Sequence, residues 1–150
     1  MSTTKPTSHG SYLMPSLEHA KVADAMHPGI LSCEPDAPLS EVARMMAANH
    51  VHCIAVIGVS HEEPELFVWS IISDHDVIRA GIRDGSEATA RGLGGEPIVT
   101  ADTTTPLREA GELMLSHKVS HLVVIDPDRQ RPVGIISTLD IAGVLAWGEG

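Results

Sequence analysis

The sequence predicts a mixed α/β (α+β) fold of two β-α-β-β-α repeats, their sheets packed together with pseudo-twofold symmetry. Three observations carry that expectation. Ile30 to Ile57 lies without gaps on Ile98 to Ile125, with eight identities: Ile30/Ile98, Pro38/Pro106, Leu39/Leu107, Glu41/Glu109, Met46/Met114, Val51/Val119, Val56/Val124 and Ile57/Ile125. Background residue frequencies of roughly 5–7% would give one or two. Apolar residues recur at helical spacing at the same place in each repeat, and short β-branched runs follow. At 150 residues and 43% hydrophobic, the chain can hide about 68% of its unfolded surface, whereas neither half would bury enough alone.

Each element has its own reason. Met1 to Ser16, rich in Ser, Thr, Pro and Gly, reads as a flexible arm; repeat 1 follows over 17–82, a linker over 83–90 within the polar stretch Gly81 to Gly95, and repeat 2 over 91–150. Ile30-Leu31-Ser32 and Ile98-Val99-Thr100 are short β-prone segments. Pro38 and Pro106 then stand where a helix's first turn tolerates a missing N–H, with Thr105 as N-cap. Leu39, Val42, Ala43 and Met46 fall at i, i+3, i+4 and i+7, and Leu107, Ala110, Gly111 and Met114 repeat that face, so each helix buries one stripe. Ile54-Ala55-Val56-Ile57 and Leu122-Val123-Val124-Ile125 are too short for helices and rich in β-branched residues, hence interior strands. Asp126-Pro127-Asp128-Arg129 supplies a turn before the strand Val133-Gly134-Ile135-Ile136. A second block, Ser70-Ile71-Ile72-Ser73-Asp74-His75-Asp76 on Gly134-Ile135-Ile136-Ser137-Thr138-Leu139-Asp140, leaves the first repeat four residues longer. That excess falls in the acidic turn His61-Glu62-Glu63-Pro64-Glu65, where a surface loop tolerates it.

Composition removes several function classes. A net charge of −10 repels phosphate backbones, and four aromatics (Tyr12, Phe67, Trp69, Trp147) offer few stacking platforms, which argues against nucleic acid as a partner. No apolar run approaches the ~18 residues of a membrane helix. Cys33 and Cys53 form neither a disulfide framework nor a C-x-x-C knuckle, and the N-terminus carries no apolar export signal, so a reducing, cytoplasmic setting is expected. The nine histidines invite a metal reading. Yet His50-x-His52-Cys53, Asp74-His75-Asp76 and the pair His117/His121 each fall short of the four converging ligands of a closed zinc site. His117 near a helix end is explained by the helix dipole. There is no nucleophile elbow, P-loop or H-E-x-x-H, and Cys53 heads an apolar strand, so no catalytic residue is expected and the chain is read as no enzyme.

What recurs is a strand ending in Ser that meets a helix with Asp three residues on: Ser73-x-x-Asp76 and Ser137-x-x-Asp140. Alone, each copy reads as a capping box. In duplicate, at matching positions, the junction also presents N–H groups, a hydroxyl and a carboxylate to a cleft, and such a carboxylate can accept from both hydroxyls of a ribose. These residues resemble the paired cystathionine-β-synthase (CBS) domain, or Bateman module. Val22-Ala23-Asp24-Ala25-Met26-His27-Pro28 is similar to the family's V-x-D-x-M-T-P opening, and Gly134-Ile135-Ile136-Ser137-Thr138-Leu139-Asp140 to its G-h-h-[ST]-x-x-D signature, over about Val22 to Trp147. The sequence departs from the pattern at Ser70 (usually Gly), at Ala55 and Val123 (often Pro), and in Arg91 to Pro97, which lacks Asp-x-Met.

The resemblance implies a stand-alone regulatory module with an adenosyl ligand (AMP, ADP, ATP or S-adenosylmethionine) in clefts between the repeats, no obligatory cofactor, no metal site, a homodimeric state and an unidentified target protein. By the same resemblance Asp76 and Asp140 hold ribose, Ser73 and Ser137 the phosphate or ribose edge, Ser32 and Thr100 line the site, and the strand starts at Cys53 and His121 wall the base. Arg79, one turn after Asp76, suits a phosphate, whereas the matching Gly143 carries no charge. Asp74 opposes a long phosphate tail, so ATP requires Mg2+ to compete. The competing readings are a metal- or pH-responsive interaction protein on the same fold and, third, a metal-dependent hydrolase.

Overall fold

The structure, a computed structural model, describes residues 14–59, 66–84, 87–93 and 98–149. Most of the arm over 1–16, the acidic turn at His61 to Glu65, part of the linker 83–90 and the end of the Arg91 to Pro97 segment lie outside the described residues. The fold is mixed α+β with two sheets. In chain order the elements are α1 (Val22–Ala25), β1 (His27–Pro28), β2 (Ser32–Cys33), α2 (Leu39–Asn49), β3 (Cys53–Val59), β4 (Leu66–Ser73), α3 (Asp74–Arg79), β5 (Thr100–Asp102), α4 (Leu107–His117), β6 (His121–Asp126), β7 (Arg131–Ser137) and α5 (Thr138–Trp147). A π-helical turn (Ala80–Asp84) continues α3, and a 3-10 turn covers Ala90–Leu93.

The chain forms two compact units, 30–98 and a second made of 14–29 with 99–149. In the first, β2 runs parallel to β3, and β3 antiparallel to β4. One face of this sheet, through Ile54, Val56 and Ile72, meets Leu39, Val42 and Met46 of α2, three of the four residues in the stripe that the helical spacing predicted; Ala43 is only partly buried. In the second, the order is β1-β7-β6-β5, and Leu122, Val124 and Ile136 meet Leu107, Ala110 and Met114 of α4. Both hairpins shift register at the matching steps Val56/Ile57 and Val124/Ile125. Asp126 closes the β6–β7 turn by accepting from Asp128 N–H on its side chain and from Gln130 N–H on its carbonyl.

Three local expectations need correction. The first strand of each repeat begins later, at Ser32 and Thr100, because parallel pairing starts where the Leu31 and Val99 carbonyls accept from Ala55 and Val123. Pro38 and Pro106 are the N-caps themselves rather than first-turn residues, and neither supplies a side-chain acceptor. Thr105 does not cap α4: its hydroxyl accepts from Asp102 N–H at 3.0 Å.

The helices instead borrow acceptors from the segments that precede the repeats. Leu107 N–H donates to the Ala20 carbonyl and Leu39 N–H to the Ala88 carbonyl, both at 2.9 Å, which satisfies one of the orphan donors every helix start leaves. The lead-in to the first repeat is thereby built into the body of the second: Val22 is fully buried among Leu107, Ala110 and Val144. In the same way Ala90 donates to the Ala37 carbonyl and is buried with Ala37 and Leu39. Both long helices end on a left-handed residue that is not glycine, His50 (φ 53°) and Lys118 (φ 55°).

Candidate ligand site

Strand alternation sorts the predicted residues onto one face of each sheet. Cys53 pairs with Ser73, and Ser32 with Ala55, two residues along from Cys53. Because cross-strand partners share a face, Ser32, Cys53 and Ser73 occupy the face opposite Ile54, Val56 and Ile72. In the other sheet His121 pairs with Ser137 and Thr100 with Val123, so Thr100, His121 and Ser137 share the face opposite Leu122, Val124 and Ile136. Each unit thus carries its own set on its own sheet.

At the end of each set the strand turns into a helix through a complete capping box. Asp76 N–H donates to Ser73 Oγ at 3.2 Å, while Ser73 N–H and Oγ–H both donate to Asp76 Oδ2, at 2.9 and 3.1 Å. The second copy repeats this: Asp140 N–H to Ser137 Oγ at 3.2 Å, with Ser137 N–H and Oγ–H to Asp140 Oδ2 at 2.8 and 3.1 Å. The first helical N–H in each copy is satisfied from the strand start, Asp74 by the His52 carbonyl and Thr138 by the Ser120 carbonyl. The carboxylate that the sequence singled out in each copy is therefore the one that completes the cap. Asp76 is the one buried charged residue among the described residues.

The outer oxygens are held differently. Arg79 Nη1 lies 3.1 Å from Asp76 Oδ1 on the same helix, with its side chain half exposed. At Asp140 the partner is His27, whose Nε2 is 2.8 Å from Oδ1. An ionised carboxylate has about four acceptor positions; each of these has three filled. Sequence reasoning missed His27, although it stands where the pattern Val-x-Asp-x-Met-Thr-Pro carries Thr. It is brought to Asp140 by β1, which pairs His27 with Ile135 and Pro28 with Gly134. Gly134 is small for the same reason: a Cβ there would lie 2.5 Å from the His27 carbonyl oxygen.

The remaining titratable groups lie apart from these junctions. His52 Nδ1 is 3.0 Å from Asp74 Oδ2, and this hydrogen bond holds the Asp74 carboxyl below its ordinary value. Asp74 thus faces His52 while Asp76 faces Ser73 and Arg79, so the two do not form an acid–base pair. Both line or adjoin different surfaces: a groove of about 480 Å³ between α2 and α3 is bordered by His52, Asp74, Met46 and Ile78, and includes neither Ser73 nor Asp76. Burial, with Glu41 and Glu34 nearby, pushes the Cys33 thiol up and keeps it protonated. His121 Nδ1 sits 3.0 Å from Ser120 Oγ. Among the described residues no group of three His, Cys, Asp or Glu could hold a metal ion, and no helix is long and apolar enough to cross a membrane.

The chain belongs to the CBS domain family, whose profile matches residues 22–83 and 91–146. No match is found among curated proteins. Among solved structures it is similar to the CBS domain pair of protein MJ0100 in complex with 5′-methylthioadenosine and S-adenosyl-L-methionine: 19% identity, TM-score 0.70, covering 85% of this chain and 96% of that one. It is also similar to CBS domain protein PAE2072 from Pyrobaculum aerophilum complexed with AMP, at 24% identity and TM-score 0.68, covering 85% and 98%. A third, Hypoxic Response Protein I with two coordinated zinc ions, matches at 23% identity and TM-score 0.64, covering 82% and 97%. The mixed α+β fold of a tandem CBS pair is thereby established.

Proposed function

We propose that this CBS pair, acting through the repeats 17–82 and 91–150, is a cytoplasmic regulatory module and not an enzyme: it binds an adenosyl ligand and passes its occupancy to a target protein. The observation that carries the reading is the duplicated junction in which Ser73/Asp76 and Ser137/Asp140 each hold a hydrogen-bonded carboxylate at a strand–helix turn. The adenosyl ligands of the similar structures from Pyrobaculum aerophilum and of protein MJ0100 support it. Ser32 and Cys53 serve the first site, Thr100 and His121 the second. Arg79 can swing from Asp76 toward a phosphate, so the first site prefers AMP; the second, with Gly143 in place of Arg, takes an uncharged or cationic adenosyl group such as that of S-adenosylmethionine. Asp74 sets ATP at a disadvantage unless Mg2+ accompanies it. Exposed Leu115, Leu139 and Leu145 on α4 and α5, and Ile78 beside α2, are the surfaces a homodimer would cover.

Calorimetry of Arg79→Ala, Asp76→Ala and Asp140→Ala with AMP and with S-adenosylmethionine tests the reading. AMP affinity falls in the first two variants, and S-adenosylmethionine affinity falls in the third. Unchanged AMP affinity in both Arg79→Ala and Asp76→Ala sinks the site assignment. In thermal or urea denaturation, a ligand at 100 times its Kd adds about 2.7 kcal/mol of stability. Stabilisation by zinc with none by adenosyl compounds would replace this reading with a metal-responsive one.

A further inference from the structure

The two carboxylates are alike on Oδ2 and unlike on Oδ1. Arg79 belongs to the same helical turn as Asp76, so it can move aside without disturbing any other element. His27 reaches Asp140 from β1, a different part of the chain, with its imidazole 77% exposed and the carboxylate only 10% exposed. Asp140 Oδ2 already accepts twice from Ser137, so only one acceptor position remains, on the oxygen that His27 occupies. A ribose diol brings two donors.

We infer that His27 is an affinity-determining gate on the Ser137/Asp140 site: a ribose diol and the His27 imidazole compete for Asp140 Oδ1, and binding lifts His27 off the carboxylate. The inference rests on the adenosyl reading of that site. Its consequence is directional. β1 has two residues, both exposed, and is fastened by its register on β7 and by Gly29 N–H on the Val133 carbonyl at 2.8 Å. Losing the His27 contact removes the side-chain tie that adds to these backbone bonds, so the lead-in to the first repeat reports on a site formed by the last strand and helix. The first site has no such line to another element, because Arg79 and Asp76 share a helix.

The experiment compares wild type, His27→Thr and His27→Ala in titrations with S-adenosylmethionine, with Asp140→Ala as the control that removes the acceptor. With the imidazole in solvent, the pair is worth on the order of a surface ion pair, up to about five-fold in an equilibrium, so both His27 variants are expected to bind about two- to five-fold more tightly than wild type. The His27 ring signal, followed by NMR, should move when S-adenosylmethionine is added to wild type and stay fixed in Asp140→Ala; a merely structural histidine would not respond. Equal or weaker binding by both His27 variants overturns the gate, as does a ring signal that stays fixed in saturated wild type. Those results leave the adenosyl reading standing if Asp140→Ala still abolishes binding. Absence of binding by wild type and both variants overturns the adenosyl reading of this site and the gate with it.

Discussion

Replacing Gly134 by alanine tests whether β1 is held down where the structure has it. The new methyl would stand 2.5 Å from the His27 carbonyl oxygen and 3.3 Å from Met26 Sδ. The thioether can swing away, but the carbonyl is backbone, so β1 must lift or β7 must bend. Overpacking of this sort costs about 1–3 kcal/mol. Alanine also restricts the unfolded chain, which returns about 0.4–1 kcal/mol, because Gly134 does not use the left-handed region. The middle of both ranges gives a net loss of about 1.3 kcal/mol, or about 3–5 °C in Tm at this chain length. Urea denaturation followed by circular dichroism should show a lower midpoint with an unchanged slope. Gly143→Ala is the internal control of opposite sign: nothing lies within 4 Å of its Cβ in the interior of α5, so helix propensity alone should stabilise by about 0.5–1 kcal/mol. A Gly134→Ala loss within about 0.5 kcal/mol, the range of an unremarkable surface change, would refute the seating of β1 against β7.

The other predictions are briefer. Ser73→Ala and Ser137→Ala each remove a cap that accepts from the helix and donates to its carboxylate, and each should cost about 1 kcal/mol in denaturation. Because the folded-state pKa of Asp74 is depressed by His52, its contribution is complete above the unfolded value and lost as pH falls through the lower folded one. At this exposed pair the contribution stays below about 1 kcal/mol, and the acid limb of a stability profile should flatten in His52→Ala. Sedimentation at micromolar concentration should show a dimer for wild type and a monomer for Leu115→Glu combined with Leu145→Glu; a wild-type monomer with and without ligand would remove the homodimer from the proposal.

Side-chain periodicity made much of this fold readable. The stripe Leu39, Val42, Met46 and the run Ile54 to Ile57 are decided by which atoms leave water, and the duplicate in Leu107 to Ile125 confirmed each element twice. The Ser-x-x-Asp junctions were readable because a capping box is local, with both partners three residues apart. The features without a local pattern are long-range and are made or positioned by backbone. The Ala20 carbonyl that caps α4 leaves no mark on the identity of residue 20, so Thr105 looked like the better cap. His27 meets Asp140 across most of the chain's length, through a strand of two residues that no alternation pattern could announce. Gly134 did leave a signal, but its cause, the neighbouring backbone, is visible only once β1 is placed.

The two compact units differ in continuity, and this sets an order of events during synthesis. Residues 30–98 form an uninterrupted unit, so its core of α2, β3 and β4 has every piece it needs as soon as Ile98 has been made. The other unit cannot close until α5 exists, because Val22 and Ala20 wait for Leu107, Ala110 and Val144 to cover them. The N-terminal stretch is therefore translated first and folded last. On a ribosome this leaves Val22 uncovered while every element of the middle unit has already been made, and non-local closure of this kind is the slow step of folding. A truncation after Ile98 thus retains every strand and helix of the first sheet but only that unit's share of the core, and it leaves 14–29 without partners, whereas one that begins at Ile30 leaves α4 without the carbonyl that starts it.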